Sequence, residues 1–221
     1  YGFPQRIETI SRAVTIVGVQ QLSALALGVT VMGLFRDLPA GALDVRAFWR
    51  HSLACACSAR ALASCLGLPN TERYFVGGLL HDIGVLLFIQ YLPARLGEVL
   101  ASVRAGQETL CDAERRVLGV DHAKAGGCLL HAWGLPQSLV LAAASHHDPL
   151  NAGPSRESAI VHVADFLAEA LVGGAGGQQV LPPLDLEAVD QLSPAPGTAC
   201  QVLERAESQI GTLETIFFSH G

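Results

Sequence analysis

Seven side chains in this sequence could do chemistry together: His51, His81, Asp82, His122, His146, His147 and Asp165. Imidazole and carboxylate are good ligands for borderline and hard divalent cations. The His81-Asp82 dipeptide offers one of each from adjacent positions. Neighbouring helical residues differ by about 100° in direction, so both can reach one ion only if it lies between those directions. Asp82 closes the apolar run Leu79-Leu80-His81, and a buried carboxylate is costly unless paired or bound to metal. Together these residues can build a one- or two-metal pocket. His131, His162 and His220 lack such company and read as ordinary core or surface histidines.

The elements that must position these residues are helical. Ala and Leu dominate, and alternating runs of Val, Ile and Thr are absent. Pro4 fits the first turn of a helix through Ile7, Ile10, Val14 and Val17. A long helix is expected from about Val45 to Leu66, closed by Gly67. Asn70 or Thr71 caps the helix that leads into His81-Asp82. Further helices are expected over Pro93 to Ala105, from an Asp112 cap to Gly119, and from an Asp121 cap to Trp133-Gly134. Another runs from Pro136 to His146-His147, where a helix end lets both imidazoles converge. Ser155 caps the helix that carries His162 and Asp165. Gly77, Gly78 and Gly84 are expected to keep the surroundings of His81-Asp82 open. The fold class is all-α, a multi-helix bundle. The expected divisions are an N-terminal helical segment over 1–40, a helical core over 41–172, and a linker with a C-terminal amphipathic helix over 173–221. That last helix repeats Val202, Leu203, Ala206, Ile210, Leu213 and Phe217 at helical spacing. It is expected to dock on its own domain.

Composition narrows the function. Half of the 221 residues are hydrophobic and 15% are charged, enough for a substantial core. The net charge of -6 and a single lysine, Lys124, argue against a nucleic-acid-binding face. Arg115-Arg116 reads as a solvated helix face. None of the six cysteines forms a C-x-x-C pair, so neither a zinc ribbon nor a thioredoxin-like motif is present. Free cysteines among Ala and Leu suggest a reducing cytoplasm. The uncharged stretch Ala13 to Phe35 is long enough to span a bilayer. Its central Gln20-Gln21 favours two packed helices with a bend around Gly18 to Ser23.

Five segments carry a resemblance. They are FWRHSLACACSARALASCLGL (48–68), GGLLHDIGVLLF (77–88), ERRVLGVDHAKAGGCLLHAWGLP (114–136), SHHDP (145–149) and IVHVADFLAEAL (160–171). Together they resemble the HD superfamily of metal-dependent phosphohydrolases, with its H…HD…D order. The resemblance is closer to the HDOD domains of bacterial signalling proteins, and the opening YGFPQRIETISRAVTIVG fits the same family. It implies a helical bundle and no membrane span. It also implies that His51, His81, Asp82 and Asp165 match the primary metal ligands. His122, His146 and His147 match the histidines that complete a second metal position in the related HD-GYP branch. The implied cofactor is a divalent metal (Fe, Mn, Mg, Zn or Ni), or none.

Three departures bear on activity. HD-GYP enzymes follow HDIG with lysine, and this chain has Val85. The GYP motif is replaced by Asp148-Pro149-Leu150-Asn151-Ala152-Gly153. The glutamate one turn before the first histidine is Ala47. Cyclic-di-GMP hydrolysis is therefore not expected. The resemblance implies a cytoplasmic bacterial signalling output module, leaning non-catalytic, with a protein partner such as a receiver or sensor domain. The alternative is a working phosphohydrolase on a small phosphorylated or nucleotide substrate.

Overall fold

The computed structural model describes residues 18–39, 43–106, 108–150, 155–172 and 183–218. Every regular element among them is a helix. In chain order these are α1 (Val19–Leu34), α2 (Val45–Cys65), α3 (Glu72–Leu80), α4 (Ile83–Tyr91), α5 (Pro93–Arg104) and α6 (Leu110–Leu118). They are followed by α7 (His122–Ala132), α8 (Gln137–Ala144), α9 (Arg156–Val172), α10 (Leu186–Leu192) and α11 (Thr198–Phe218). The all-α expectation holds. The helix expected after Pro4 lies outside the described residues.

Local chemistry explains most boundaries. Asp44 caps α2 by accepting from the backbone N–H groups of Arg46 and Ala47. At its other end Gly67 adopts φ 67°. There Leu68 N–H donates to the Ala63 carbonyl and Gly67 N–H to Ser64, a Schellman ending. Asp121 caps α7 through Lys124 N–H. The cap of α6 is Thr109 rather than Asp112: the Thr109 hydroxyl oxygen accepts from Asp112 N–H, and Asp112 lies in the first turn. Two elements escaped the sequence reading, α4, which follows directly on Asp82, and the short α10, capped by Asp185. The two packed helices expected to bend around Gly18 to Ser23 lie partly outside the described residues; within them Gly18 has φ 95° and α1 runs unbroken from Val19.

The central helix is α2, which packs against α3, α9 and α11. Its Leu53, Ala54, Cys55, Ala56, Cys57 and Ala59 are fully buried. Small residues there let neighbours come close. A Cβ on Gly78 of α3 would meet the Ala56 backbone nitrogen at 2.8 Å, and one on Gly84 of α4 would meet the His122 carbonyl oxygen at 2.0 Å. These glycines do not hold space open, as the sequence suggested. They bring α3 onto α2 and α4 onto α7, drawing the His81-Asp82 corner toward the helices that bear the other histidines.

The stretch Glu72–Tyr91 is long and apolar enough to cross a membrane by length and composition, but 78% of that window is buried inside the bundle. Breaking it at His81-Asp82 into α3 and α4 places those residues at an internal corner. The C-terminal α11 lies along α2, burying Val202, Ala206, Ile210 and Leu213. An ion pair between Arg50 and Glu214, at 2.7 Å, supports the docking.

Candidate metal centre

All seven expected residues converge. His51 comes from the second turn of α2, His81 and Asp82 from the α3–α4 corner, and His122 from the first residue of α7. His146 and His147 follow the end of α8, and Asp165 lies mid-α9. His51, His81, His122 and His146 are buried, as is Asp165, and the Asp82 side chain is 15% exposed.

Asp82 divides the cluster into two halves. Its Oδ2 lies 3.3 Å from His81 Nε2. Its Oδ1 lies 3.2 Å from His122 Nε2 and 3.3 Å from His146 Nε2. In the first half, Asp165 Oδ1 sits 2.9 Å from His51 Nε2 and 3.4 Å from His81 Nε2. In the second half, His147 Nε2 meets His122 Nε2 at 2.8 Å. One potential ligand atom each from Asp82, His122, His146 and His147 lies within 4.8 Å of the others, and the same is true of His51, His81 and Asp82.

The imidazoles are held from behind. His81 Nδ1–H donates to the Gly78 carbonyl at 2.7 Å and His146 Nδ1–H to the Ala143 carbonyl at 2.7 Å. Each bond turns Nε2 into the centre. His122 is oriented by Glu114, which is completely buried. Glu114 Oε2 lies 2.6 Å from His122 Nδ1 and accepts from the His122 backbone N–H at 2.8 Å. Such outer partners fix the tautomer and raise ligand basicity. The sequence reading passed over Glu114. Its signal was a carboxylate on the face of α6 that buries Ala113 and Val117. Glu169, one turn after Asp165, was missed too; its Oε1 is 4.0 Å from His51 Nδ1, so α9 supplies a carboxylate near the first histidine although Ala47 cannot. His162 keeps its structural role: Nδ1–H donates to the His146 carbonyl, and Nε2 accepts from the Asp185 N–H.

The charges fit a cation. Burial disfavours charge on Asp82, but His81 and His122 overcome it and hold the carboxyl well below its usual range. Asp165 is likewise held well below, its burial outweighed by His51 and His81. Burial opposes charge on His81 and His122 as well, yet Asp82 beside the one and Glu114 beside the other lift both well above 6.5. Burial dominates at His147, with His146 and His122 adding to it, and pushes it well below. The close His122–His147 contact then has a charged donor and a neutral acceptor. Protons thus stand where a cation would sit. They satisfy the site poorly: His81 Nε2, His146 Nε2 and Asp82 Oδ1 are buried and meet their ion-pair neighbours only at 3.2–3.4 Å, without a well-formed hydrogen bond. Buried ligand atoms are rarely left in that state, and one or two divalent cations would engage all three. The set is mixed nitrogen and oxygen, which suits iron, manganese, zinc or nickel better than an all-oxygen magnesium site.

Comparison with known proteins agrees with this architecture. No curated protein matches the chain. Among solved structures, an HDOD domain protein of unknown function from Geobacter sulfurreducens is 24% identical with a TM-score of 0.71, covering 97% of this chain and 75% of its own. A candidate phosphohydrolase from Shewanella amazonensis SB2B is 24% identical with a TM-score of 0.67, covering 91% and 78%. A candidate signal transduction protein from Marinobacter aquaeolei VT8 is 23% identical with a TM-score of 0.76; the match covers 96% of this chain and 48% of that one. At these identities the likeness shows the fold. The HDOD domain family model matches residues 1–149, which span His51, His81, Asp82, His122 and both histidines after α8, and the chain belongs to the HDOD family.

Proposed function

We propose that this chain is a signal-transduction output module whose helical bundle is organised around a divalent-cation centre bridged by Asp82. The observation that carries the cation is the trio of buried ligand atoms that face one another without a well-formed hydrogen bond, His81 Nε2, His146 Nε2 and Asp82 Oδ1. His51, His81, Asp82 and Asp165 would form one half, and Asp82, His122, His146 and His147 the other. The module reading rests on HDOD membership, and the candidate signal transduction protein of the same fold supports it. The partner would be a protein, a receiver or sensor domain, in a bacterial cytoplasm.

Cyclic-di-GMP hydrolysis is not part of this proposal. Val85 stands where the HD-GYP branch carries lysine, and it is 3% exposed, packed into the core of α4. It brings no cation to a phosphate. The strongest influences on Asp82 and Asp165, beyond burial, come from histidines.

The second reading is a phosphohydrolase on a small phosphorylated or nucleotide substrate, favoured by the complete paired ligand set. A bound cation pair would activate water and polarise the phosphoryl oxygen. The test is an assay of protein loaded separately with manganese, iron and zinc against cyclic-di-GMP and a simple phosphomonoester. The module reading expects turnover far below the typical enzyme range of about 1–1,000 per second. Turnover within that range, lost in Asp82→Ala, establishes the hydrolase instead.

A further inference from the structure

The half-site of His51, His81 and Asp165 has a thiol beside it. Cys55 sits on α2 one turn after His51 and is fully buried. Potential ligand atoms of Cys55, His81 and Asp165 lie within 4.8 Å of one another. On a tetrahedral ion a sulfur at ~2.3 Å and a nitrogen at ~2.1 Å lie ~3.6 Å apart. Side-chain adjustments of about an ångström would close the three onto a single ion. The second observation pointing to a ligand is His81 Nε2 itself, fully buried, with the Asp82 and Asp165 oxygens at 3.3 and 3.4 Å but no hydrogen bond formed to either.

The other cysteines differ. Cys57, two residues along the same helix, belongs to no such group, and Cys128 and Cys200 are exposed. Cys111 lies near Glu114 and His122, but the His122 Nδ1 there is engaged by Glu114.

We propose that Cys55 is a further ligand in this half-site, so that it binds a thiophilic borderline cation such as zinc or ferrous iron in preference to magnesium. A thiolate is a soft donor and selects such ions, whereas carboxylate and water suit magnesium and manganese. On binding, the sulfur–metal bond forms and the thiol proton leaves to solvent. The two halves would then differ in chemistry: one with sulfur, nitrogen and oxygen donors, the other with nitrogen and oxygen. The inference rests on the cation reading above.

The test is cobalt(II) titration of the full chain, read by absorption. Visible ligand-field bands report that cobalt binds the centre, and a near-ultraviolet sulfur-to-cobalt charge-transfer band reports the thiolate. Both bands are expected in the native protein and in Cys111→Ser. Cys55→Ser should keep the visible bands and lose the charge-transfer band. Its zinc affinity should fall by at least the ~10–100-fold that loss of an outer-shell partner costs. A charge-transfer band that survives in Cys55→Ser overturns the proposal. Visible bands without charge transfer in the native protein also overturn it while leaving the cation reading intact. Absence of both overturns the two together. X-ray absorption of the zinc-loaded native protein needs no variant: a sulfur shell near ~2.3 Å is expected, and a shell of nitrogen and oxygen alone contradicts it.

Discussion

Glu114 holds His122 twice, accepting from its backbone N–H at 2.8 Å and contacting its ring Nδ1 at 2.6 Å with the same oxygen. This fixes both the start of α7 and the direction of His122 Nε2 toward Asp82. Glu114→Ala should therefore weaken cation binding by about 10–100-fold. It should also cost roughly 1–3 kcal/mol of stability, because the His122 donors lose their buried acceptor. Glu114→Gln, which can still accept one bond, should fall between. Calorimetric titration with zinc and urea denaturation check this. Unchanged affinity in Glu114→Ala would mean that His122 is not a ligand.

Cation binding should release protons at neutral pH. Without a cation, His81 and His122 hold protons well above 6.5, because the surrounding carboxylates outweigh burial. A cation needs their Nε2 lone pairs, so it must displace those protons, and apparent affinity should rise with pH. Titration at pH 7 in buffers of different ionisation enthalpy measures the release. No net release would contradict the placement of these two histidines. The same shifts set the stability of the cation-free protein. The raised histidines contribute fully below 6.5, and that contribution is lost as pH rises through their folded values. Asp82 and Asp165, depressed below 3.8, contribute above that value and lose the contribution as pH falls through their folded values.

The seven converging side chains were legible in sequence because His and Asp are uncommon on apolar helices, and the family order H…HD…D names several of them. What orients them was not. Gly78 and Ala143 act through backbone carbonyls, which any residue type supplies. Cys55 looks like one more small hydrophobe among alanines. Glu114 was recoverable, since it occupies the buried face of α6 beside Ala113 and Val117. The glycines at 78 and 84 were noticed but misread, because sequence shows a missing side chain and not the backbone that fills its place. The cap of α6 was misplaced because Thr109 and Asp112 both carry capping oxygens.

Close backbone approach makes Gly84 intolerant. A Cβ there meets the His122 carbonyl oxygen at 2.0 Å and the Gly126 nitrogen at 2.7 Å. Gly84→Ala should cost at least the roughly 1–3 kcal/mol typical of overpacking, and it should loosen the cation centre by pushing α7 away from α4. Gly211 in α11 has no heavy atom within 4 Å of its added Cβ. Gly211→Ala should stabilise by about 0.5–1 kcal/mol through helix propensity. Urea midpoints for the two variants should move in opposite directions; a shift in the same direction would contradict the packing.

The C-terminal helix is expected to stabilise its own domain. Leu213 is 6% exposed and lies on the face that α11 turns to α2. Leu213→Ala should cost about 2–5 kcal/mol. Truncation after Gly177, which removes α10 and α11, should lower the melting temperature and leave the oligomeric state unchanged. A truncated chain that melts as before but loses self-association would make α11 a partner-binding element instead.

The central claim is a cation centre bridged by Asp82, and elemental analysis tests it most directly. Native protein and Asp82→Ala, each purified without added metal and verified as folded by circular dichroism, would be compared. The native protein should carry a stoichiometric first-row transition cation and Asp82→Ala should carry almost none. Equal metal content in the two proteins, or a native protein that neither retains nor takes up a cation, would contradict the account.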